Sequence, residues 1–341
     1  MNKVAVALSG GIDSAVTAAL LKEQGYEVVG ITARMTCSED AELVVQNANK
    51  VAQKLGIEHF VLDSTKEFEE KVIKYFESSY KEGKTPNPCI LCNKYIKWGL
   101  LFDYCINTLK VDYIATGHYA NIKEENGIYK LFPASDEHKD QLYFLFLLTQ
   151  EQLSKTLFPL SKYKKEDVKK LAEQYDLPPK SAKESQDICF IKPPLTTKKY
   201  LNSILKNEKG KFIEKSSGKI LGYHNGYWQY TIGQRKGIGL AAPEALYVIN
   251  INALSNTVFV GYKNELLAQT LELNNIHWNY PINNQCLEIL VKIRYNMKAV
   301  KATISNNKVD FIEPVSGITP GQACVFYNKE DGHLLGGGFI S

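Results

Sequence analysis

Three places along this 341-residue chain carry residues suited to chemistry. Ser9-Gly10-Gly11-Ile12-Asp13-Ser14 stands between an apolar run at residues 4–8 and a helix-forming stretch at 15–23, so the hexapeptide is a strand-to-helix turn. Its glycines let the backbone approach a ligand closely. The first N–H groups of the helix then aim the positive end of the dipole at that ligand, which makes a phosphate cradle. Cys89 and Cys92 form a Cys-x-x-Cys in Thr85-Pro86-Asn87-Pro88-Cys89-Ile90-Leu91-Cys92-Asn93-Lys94, ahead of an amphipathic helix with Tyr95, Ile96, Trp98, Leu100, Leu101 and Phe102. A helix N-terminus and the neighbouring Lys94 favour the thiolate, so a reactive thiol is expected there. Cys189 lies far along the chain among the polar residues of Ser185-Gln186-Asp187-Ile188-Cys189-Phe190.

Missing partners narrow both readings. A Walker loop needs Gly-Lys-Ser/Thr after its glycines and a dinucleotide fold needs Gly-x-Gly-x-x-Gly, and the sequence has neither at this turn. A zinc ribbon needs a second Cys-x-x-Cys, which the sequence also lacks. Cys37, Cys105, Cys286 and Cys324 stand in apolar or strand-like surroundings and are expected to be small buried hydrophobes.

Composition is that of a globular chain, 44% hydrophobic and 23% charged, and its length calls for two or three domains. The longest apolar stretch, residues 142–148, is far short of the roughly 20 residues of a membrane span. No signal peptide is read ahead of the first strand, and seven cysteines, an odd number, favour thiol chemistry in a reducing compartment over a disulfide scaffold. A cytoplasmic location without membrane contact is expected. The net charge of +4 is uneven: residues 151–220 hold 16 lysines and no arginine against 9 acidic residues, a surface suited to phosphates or simply a set of solvated helices.

Elements that could position these residues follow a clear rhythm. Strand-like runs at 27–32, 59–63 and 113–117 alternate with helical stretches at 41–55 and 68–80, the pattern of an α/β doubly wound parallel sheet. Ligands in such sheets sit at the carboxyl ends of strands, where the Ser-Gly-Gly turn and Thr116-Gly117-His118 both fall. An apolar helix is expected at 142–148. From about residue 206 the pattern changes to short strands (226–230, 246–250, 287–294, 308–312, 323–327) between Gly, Asn and Pro. The expected domains are 1–205, 206–267 and 268–341, the last a β-barrel.

Ser-Gly-Gly-x-Asp-Ser resembles the pyrophosphatase loop of the ATP-pyrophosphatase (PP-loop) superfamily, which transfers AMP to a substrate oxygen. Several segments also occur in the order and spacing of the bacterial tRNA-specific 2-thiouridylase family. They are the Thr-Pro-Asn-Pro…Cys-Asn-Lys stretch, Ala115-Thr116-Gly117-His118-Tyr119, Lys139-Asp140-Gln141, residues 185–190, Gly233-Gln234-Arg235-Lys236-Gly237 and Pro320-Gly321-Gln322-Ala323. The resemblance covers essentially the whole chain. It implies ATP at Ala7, Leu8, Ser9, Gly10, Gly11, Ile12, Asp13, Ser14, Ala33 and Gly117, Cys92 as nucleophile, and Cys189 as bearer of a persulfide. It also implies that Asn87, Pro88 and Cys89 meet the target base, while His118, Lys139, Asp140, Gln141, Arg294, Tyr295 and Gln322 contact tRNA. The implied partners are Glu, Gln and Lys isoacceptors of tRNA and a sulfur donor, a cysteine desulfurase or a sulfur-relay carrier.

The chemistry explains the pairing of a phosphate loop with distant thiols. The C2 oxygen of uridine leaves poorly until AMP is transferred to it, after which sulfur can enter at the same carbon. Mg²⁺ would steady the departing pyrophosphate, with Asp13 as a holder of the metal or its waters. One departure from the family stands out: Cys89 occupies a position where the family commonly has aspartate. Cys89, Cys92 and Cys189 then resemble the three-cysteine set by which related thiolases hold a [4Fe–4S] cluster, so persulfide relay and cluster chemistry are alternative routes through the same residues.

Structural roles stand beside several of these assignments. His118 can hydrogen-bond a loop carbonyl, Arg294 can form a surface ion pair, Asp140 can cap the segment after it, and Trp228 with Tyr230 can pack a strand into a core. A small-molecule ATP pyrophosphatase, such as an amide-forming synthetase, would share the loop without needing Cys92 and Cys189.

Overall fold

Ile31 and Val6 are completely or almost completely shielded from solvent because each lies on an inner strand of a parallel sheet covered on both faces. The computed structural model describes residues 1–178, 188–282 and 286–341; of the 185–190 motif, Ser185, Gln186 and Asp187 lie outside the described residues. The chain begins with β1 (Lys3–Ala7), α1 (Ile12–Glu23), β2 (Glu27–Arg34), α2 (Glu39–Leu55) and β3 (His59–Asp63). Ser38 caps α2 by accepting from the Ala41 N–H, and Gly56 ends it with a φ of +61°.

A long bent helical segment follows: α3 (Thr65–Phe68), a π-wound turn at Glu69–Ile73, and α4 (Lys74–Lys81). After the proline loop come α5 (Pro88–Leu91), a π-wound stretch at Cys92–Leu101, and α6 (Phe102–Asn107). Then come β4 (Tyr113–Ala115), a hairpin of β5 (Asn121–Glu125) and β6 (Ile128–Phe132), α7 (Gln150–Ser154), β7 (Thr156–Leu157) and α8 (Lys165–Gln174).

The parallel sheet has the order β3-β2-β1-β4-β7. Strand order therefore reverses between β1 and β4, and the loops leaving these two strands flank the crevice where doubly wound sheets bind ligands. One face of the sheet packs on α1, α2 and α8, with Val16, Leu20, Val51 and Val168 buried; the other packs on the α5–α6 segment through Trp98, Leu101 and Phe102.

α9 (Thr197–Ile204) leads into a four-stranded sheet of β8 (Gly210–Glu214), β9 (Ile220–His224), β10 (Tyr247–Asn252) and β11 (Thr257–Gly261), ordered β10-β11-β8-β9. Leu201 of α9 shares the core of this sheet with Phe212, Trp228, Val248 and Val258, so α9 packs with the middle unit although it precedes residue 206. The last six strands close into a barrel in the order β12-β15-β14-β13-β16-β17: β12 (Leu267–Trp278), β13 (Cys286–Lys292), β14 (Val300–Ser305), β15 (Lys308–Ser316), β16 (Ala323–Tyr327) and β17 (Leu334–Ile340). No helix among the described residues is long and apolar enough to cross a membrane.

Three local expectations are corrected. Residues 142–148 form one 3₁₀ turn, Leu142–Phe144, followed by further turns and no helix. Leu142, Tyr143, Leu145, Phe146, Leu147 and Leu148 are all buried there, and a Cβ on Gly337 would lie 2.8 Å from Phe146. The segment threads between sheet and barrel, and that enclosure makes it apolar on every side. Residues 226–230 form a 3₁₀ turn at Tyr227–Gln229 instead of a strand, because the Gly226 N–H donates to His224 Nδ1 at 3.1 Å and the Tyr227 N–H to Asn256 Oδ1 at 3.3 Å. Side chains thus take the donors that a strand ladder would use, while Trp228 and Tyr230 are buried in the core as expected. Cys105 and Cys324 are buried as expected, but Cys37 and Cys286 are exposed, the former beside the α2 cap and the latter at the outer start of β13.

Candidate active site

The turn after β1 is built to leave its backbone open. Gly10 has φ +71°, and a Cβ there would meet the Val44 carbonyl oxygen of α2 at 3.0 Å, so glycine is required twice over. Gly11 starts α1 with no side-chain cap. Ser14 braces the turn from inside: its Oγ accepts from the Ser9 N–H at 3.1 Å and donates to the Gly11 carbonyl at 3.0 Å. Leu8, just before, donates its N–H to Ile31, and its carbonyl accepts from Thr32 Oγ1 at 2.8 Å. Ala7 ends β1 beside them, Ile12 packs into the core under α1, and Ala33 sits on the adjacent strand. An uncapped helix start of this form, α1 being 12 residues long, fits a phosphate group.

Asp13 is already engaged. Lys165, at the first turn of α8, reaches both carboxylate oxygens at 2.8 and 2.7 Å, and Tyr119 Oη donates to Asp13 Oδ1 at 2.9 Å. Sequence reasoning found no lysine in the loop; the fold delivers one from 152 residues away. To hold Mg²⁺ or its waters, the Asp13 carboxylate must exchange part of this pairing, while phosphate oxygens supply most of the ligands such an ion takes.

The loop after β4 joins the two chemistries. A Cβ on Gly117 would lie 2.9 Å from Asp13 Cβ and the Ser14 nitrogen, so only glycine lets this backbone lie flush against the phosphate turn. His118, one residue on, faces the other way. Its Nδ1 is 2.7 Å from Thr116 Oγ1 and its Nε2 is 3.2 Å from Lys97 Nζ, with Trp98 and Phe158 packed on its ring. Lysine can only donate, so Nε2 accepts and Nδ1 carries the proton given to Thr116. Burial, helped by Lys97, holds the His118 pKa well below its usual value, so the ring is neutral.

Cys89, Cys92 and Cys189 are brought together from two remote segments, close enough for each charge to be felt by another. Asn87 caps α5 by accepting from the Cys89 N–H at 3.2 Å, and Pro88 opens the helix. Cys92 is buried with Phe68, Val72 and Ile96, against Ala33, Met35 and Phe190. Burial pushes its pKa up to about 12, opposed by Lys97. The thiolate expected from the helix start therefore does not form at rest, because loss of hydration outweighs the dipole. Lys94 is not the relevant cation, since its ammonium lies 5.2 Å from the centre of the Tyr95 ring. Cys89 and Cys189 keep exposed surface, yet loss of hydration raises both, Cys189 to about 11. Among the described residues no three His, Cys, Asp or Glu side chains are gathered at the spacing that holds a single metal ion.

Gln322 of the barrel donates from Nε2 to the Thr85 carbonyl at 2.7 Å, and the Thr85 N–H donates to the Pro320 carbonyl at 2.9 Å, so the barrel grips the loop ahead of Cys89. Arg294 donates to the Gly317 carbonyl and lies against Gly233, which ties the barrel to the middle unit and replaces the expected surface ion pair. Tyr295 packs on Phe144 at 4.6 Å between centroids. Asp140 accepts from the Ala134 and Leu142 N–H groups, the capping role, and burial raises its pKa. Gln141 Oε1 accepts from the Tyr119 N–H at 3.0 Å, and Lys139 precedes them at a turn. Lys97, Lys165 and Tyr119 were missed by sequence reasoning: neither lysine belongs to a motif, and only the tertiary fold shows what each one faces.

Models of three families match in succession: a tRNA methyl transferase HUP domain at residues 2–193, a tRNA methyl transferase PRC-barrel domain at 198–262, and an aminomethyltransferase beta-barrel domain at 268–340. The chain is 43% identical to the tRNA-specific 2-thiouridylase MnmA of Clostridium acetobutylicum, with 99% of each chain covered. It is 44% identical to that of Carboxydothermus hydrogenoformans over 99% of this chain and 97% of the relative. For that of Rippkaea orientalis the identity is 40%, over 100% and 99%. With such identity sustained from end to end, and with a phosphate turn and converging thiols where that chemistry would need them, the chain belongs to the tRNA-specific 2-thiouridylase family.

Proposed function

We propose that this protein thiolates C2 of the wobble uridine, U34, in tRNA, using ATP to activate the oxygen and a Cys189 persulfide to supply the sulfur. The observation that carries this reading is one peptide: Gly117 lies against the phosphate turn while His118, bonded to it, reaches Lys97 beside the thiols. Activation and sulfur delivery are thereby adjacent.

In the first step the C2 oxygen attacks the α-phosphorus of ATP at the turn formed by residues 9–14, pyrophosphate leaves, and the uridine ring loses its N3 proton. Mg²⁺, when bound, neutralises charge on the departing pyrophosphate. The terminal sulfur of the Cys189 persulfide then attacks C2 and AMP departs with the C–O bond's electrons. Cys92 finally attacks Cys189 Sγ; the Cys92–Cys189 bond forms, the bond to the transferred sulfur breaks, and the base takes both the electron pair and a proton to become 2-thiouridine. A reductant must reopen the disulfide before the next turnover.

Asn87, Pro88 and Cys89 meet the target base, and Cys89, a thiol kept protonated by its surroundings, can donate a hydrogen bond there but cannot act as a carboxylate base. The tRNA lies across the barrel and the β4–α7 region; Glu, Gln and Lys isoacceptors are the substrates, a cysteine desulfurase or relay carrier charges Cys189, and the reaction takes place in the cytoplasm. Nucleoside mass spectrometry after incubation with tRNA, ATP and a persulfide source tests the reading. Cys92→Ser and Cys189→Ser are expected to abolish 2-thiouridine while ATP binding persists. ATP turnover on a free amino acid or nucleotide that survives both changes would refute it in favour of a small-molecule synthetase.

A further inference from the structure

Cys92 poses a chemical problem that the thiols alone do not solve. It must attack as a thiolate, yet it is buried among Phe68, Val72 and Ile96, where an unpaired negative charge is costly. Whatever stabilises that charge must come from the same helix or from the loop facing it.

Helix winding supplies the answer. In an α-helix the residue five positions on lies well around the barrel of the helix, whereas i→i+5 winding stacks residues five apart along one side. The stretch Cys92–Leu101 is wound in this way, with the Phe102 N–H reaching back to the Lys97 carbonyl. Gly99 permits it, since a Cβ there would stand 3.0 Å from the Lys94 carbonyl oxygen, again five residues back. The residue five positions after Cys92 is Lys97.

Building on the thiolation reading, we infer that Lys97 is the positioning residue of the sulfur-release step: its ammonium, oriented by His118 and turned to the Cys92 side by the π-winding, stabilises the Cys92 thiolate as it attacks Cys189 Sγ. Lys97 is half-buried, and its charge reaches Cys89, Cys92 and Cys189 together. Neutral His118 accepts from it at 3.2 Å and is itself fixed by Thr116, so the ammonium has a defined direction, and among the described residues no carboxylate pairs with it to cancel its charge. Lys192, the other cation felt by Cys189, acts on that thiol and not on Cys92. Lys97 gives up no proton in this step; the one lost by Cys92 is matched by the one that the released base regains.

A single-turnover trap tests the role. Enzyme charged with persulfide on Cys189 is mixed with ATP and tRNA, and AMP, free 2-thiouridine and the disulfide-linked tRNA–Cys189 adduct are followed, the adduct on a non-reducing gel. Lys97→Met is expected to form AMP and adduct at the wild-type rate but release thiolated tRNA about tenfold or more slowly, the effect of removing one charge at close range. Lys97→Arg should restore most of the release. Cys92→Ser marks the fully trapped state. Release by Lys97→Met within about twofold of wild type would overturn the proposal, and so would loss of AMP formation in that variant, which would make Lys97 part of activation or of the fold. Release of 2-thiouridine by Cys92→Ser at the wild-type rate would instead overturn the persulfide reading beneath it.

Discussion

Gln322 Nε2, on the barrel, donates to the carbonyl oxygen of Thr85 at 2.7 Å, across 237 residues of sequence. The Thr85 N–H is taken by Pro320 at 2.9 Å, and a Cβ on Gly321 would stand 3.0 Å from Lys84 Cβ. The loop that launches the Cys89–Cys92 helix is thus held by the most distant domain. Replacing Gln322 with alanine leaves the Thr85 carbonyl without this donor, a loss of about 1 kcal/mol. The expected result is a roughly fivefold slower thiolation at saturating tRNA with an unchanged KM for ATP, checked by steady-state kinetics with each substrate varied in turn.

Asp13 and Lys165 form a largely enclosed ion pair, with the lysine side chain only 11% exposed. Lys165→Met strands the carboxylate beside Tyr119, and charged hydrogen bonds of this kind are worth about 1.5–3 kcal/mol. A lower urea midpoint and at least a tenfold loss of AMP formation are expected. Asp13→Ala should abolish AMP formation while tRNA binding, measured by filter retention, stays within about twofold of wild type.

Gly117→Ala forces a methyl group to within 2.9 Å of Asp13 and Ser14, where the close atoms include backbone that cannot swing aside. A raised KM for ATP and a slower AMP burst are expected, with little change in alkylation of Cys92, because the clash falls on the phosphate side of the loop.

Cys89 separates the two sulfur routes. A ligand set needs all three thiols, whereas persulfide relay needs Cys92 and Cys189 only. Cys89→Ser is expected to retain thiolation within about tenfold of wild type, and anaerobically purified protein to carry no stoichiometric iron or sulfide. Abolished thiolation together with bound iron would decide for the cluster route.

Stability should fall in mild acid. Burial lowers the pKa of His59, His118, His224 and His277 below the usual 6.5. On acidification the unfolded chain therefore binds protons first, each such histidine costing up to about 1.4 kcal/mol per pH unit below about 6.5. Urea unfolding should show stability decreasing from pH 6.5 to 5, and His224→Gln should flatten that slope.

Local patterns exposed most of the architecture. The phosphate turn is legible because its residues are consecutive and their conformational demands are strict, and strands such as residues 59–63 appear where alternation and burial predict them. Lys97 was hidden because the reading assumed α-winding, under which it points away from Cys92. Lys165 was hidden because it pairs with Asp13 only through the stacking of α8 on α1. Residues 142–148 misled for the opposite reason: apolar density marks burial, but not the conformation adopted inside it. The thiolate expected at Cys92 is opposed by burial, which raises its pKa, since sequence displays the helix start and conceals the desolvation around it.

One backbone link has a consequence for timing. Gly117 and His118 share an amide, the first in van der Waals contact with the residues that would grip triphosphate and the second hydrogen-bonded to the ammonium near sulfur. Occupancy of the nucleotide cradle that nudges this amide would be passed by covalent continuity, without any signalling helix or moving domain, to the side where the tRNA is to be unloaded.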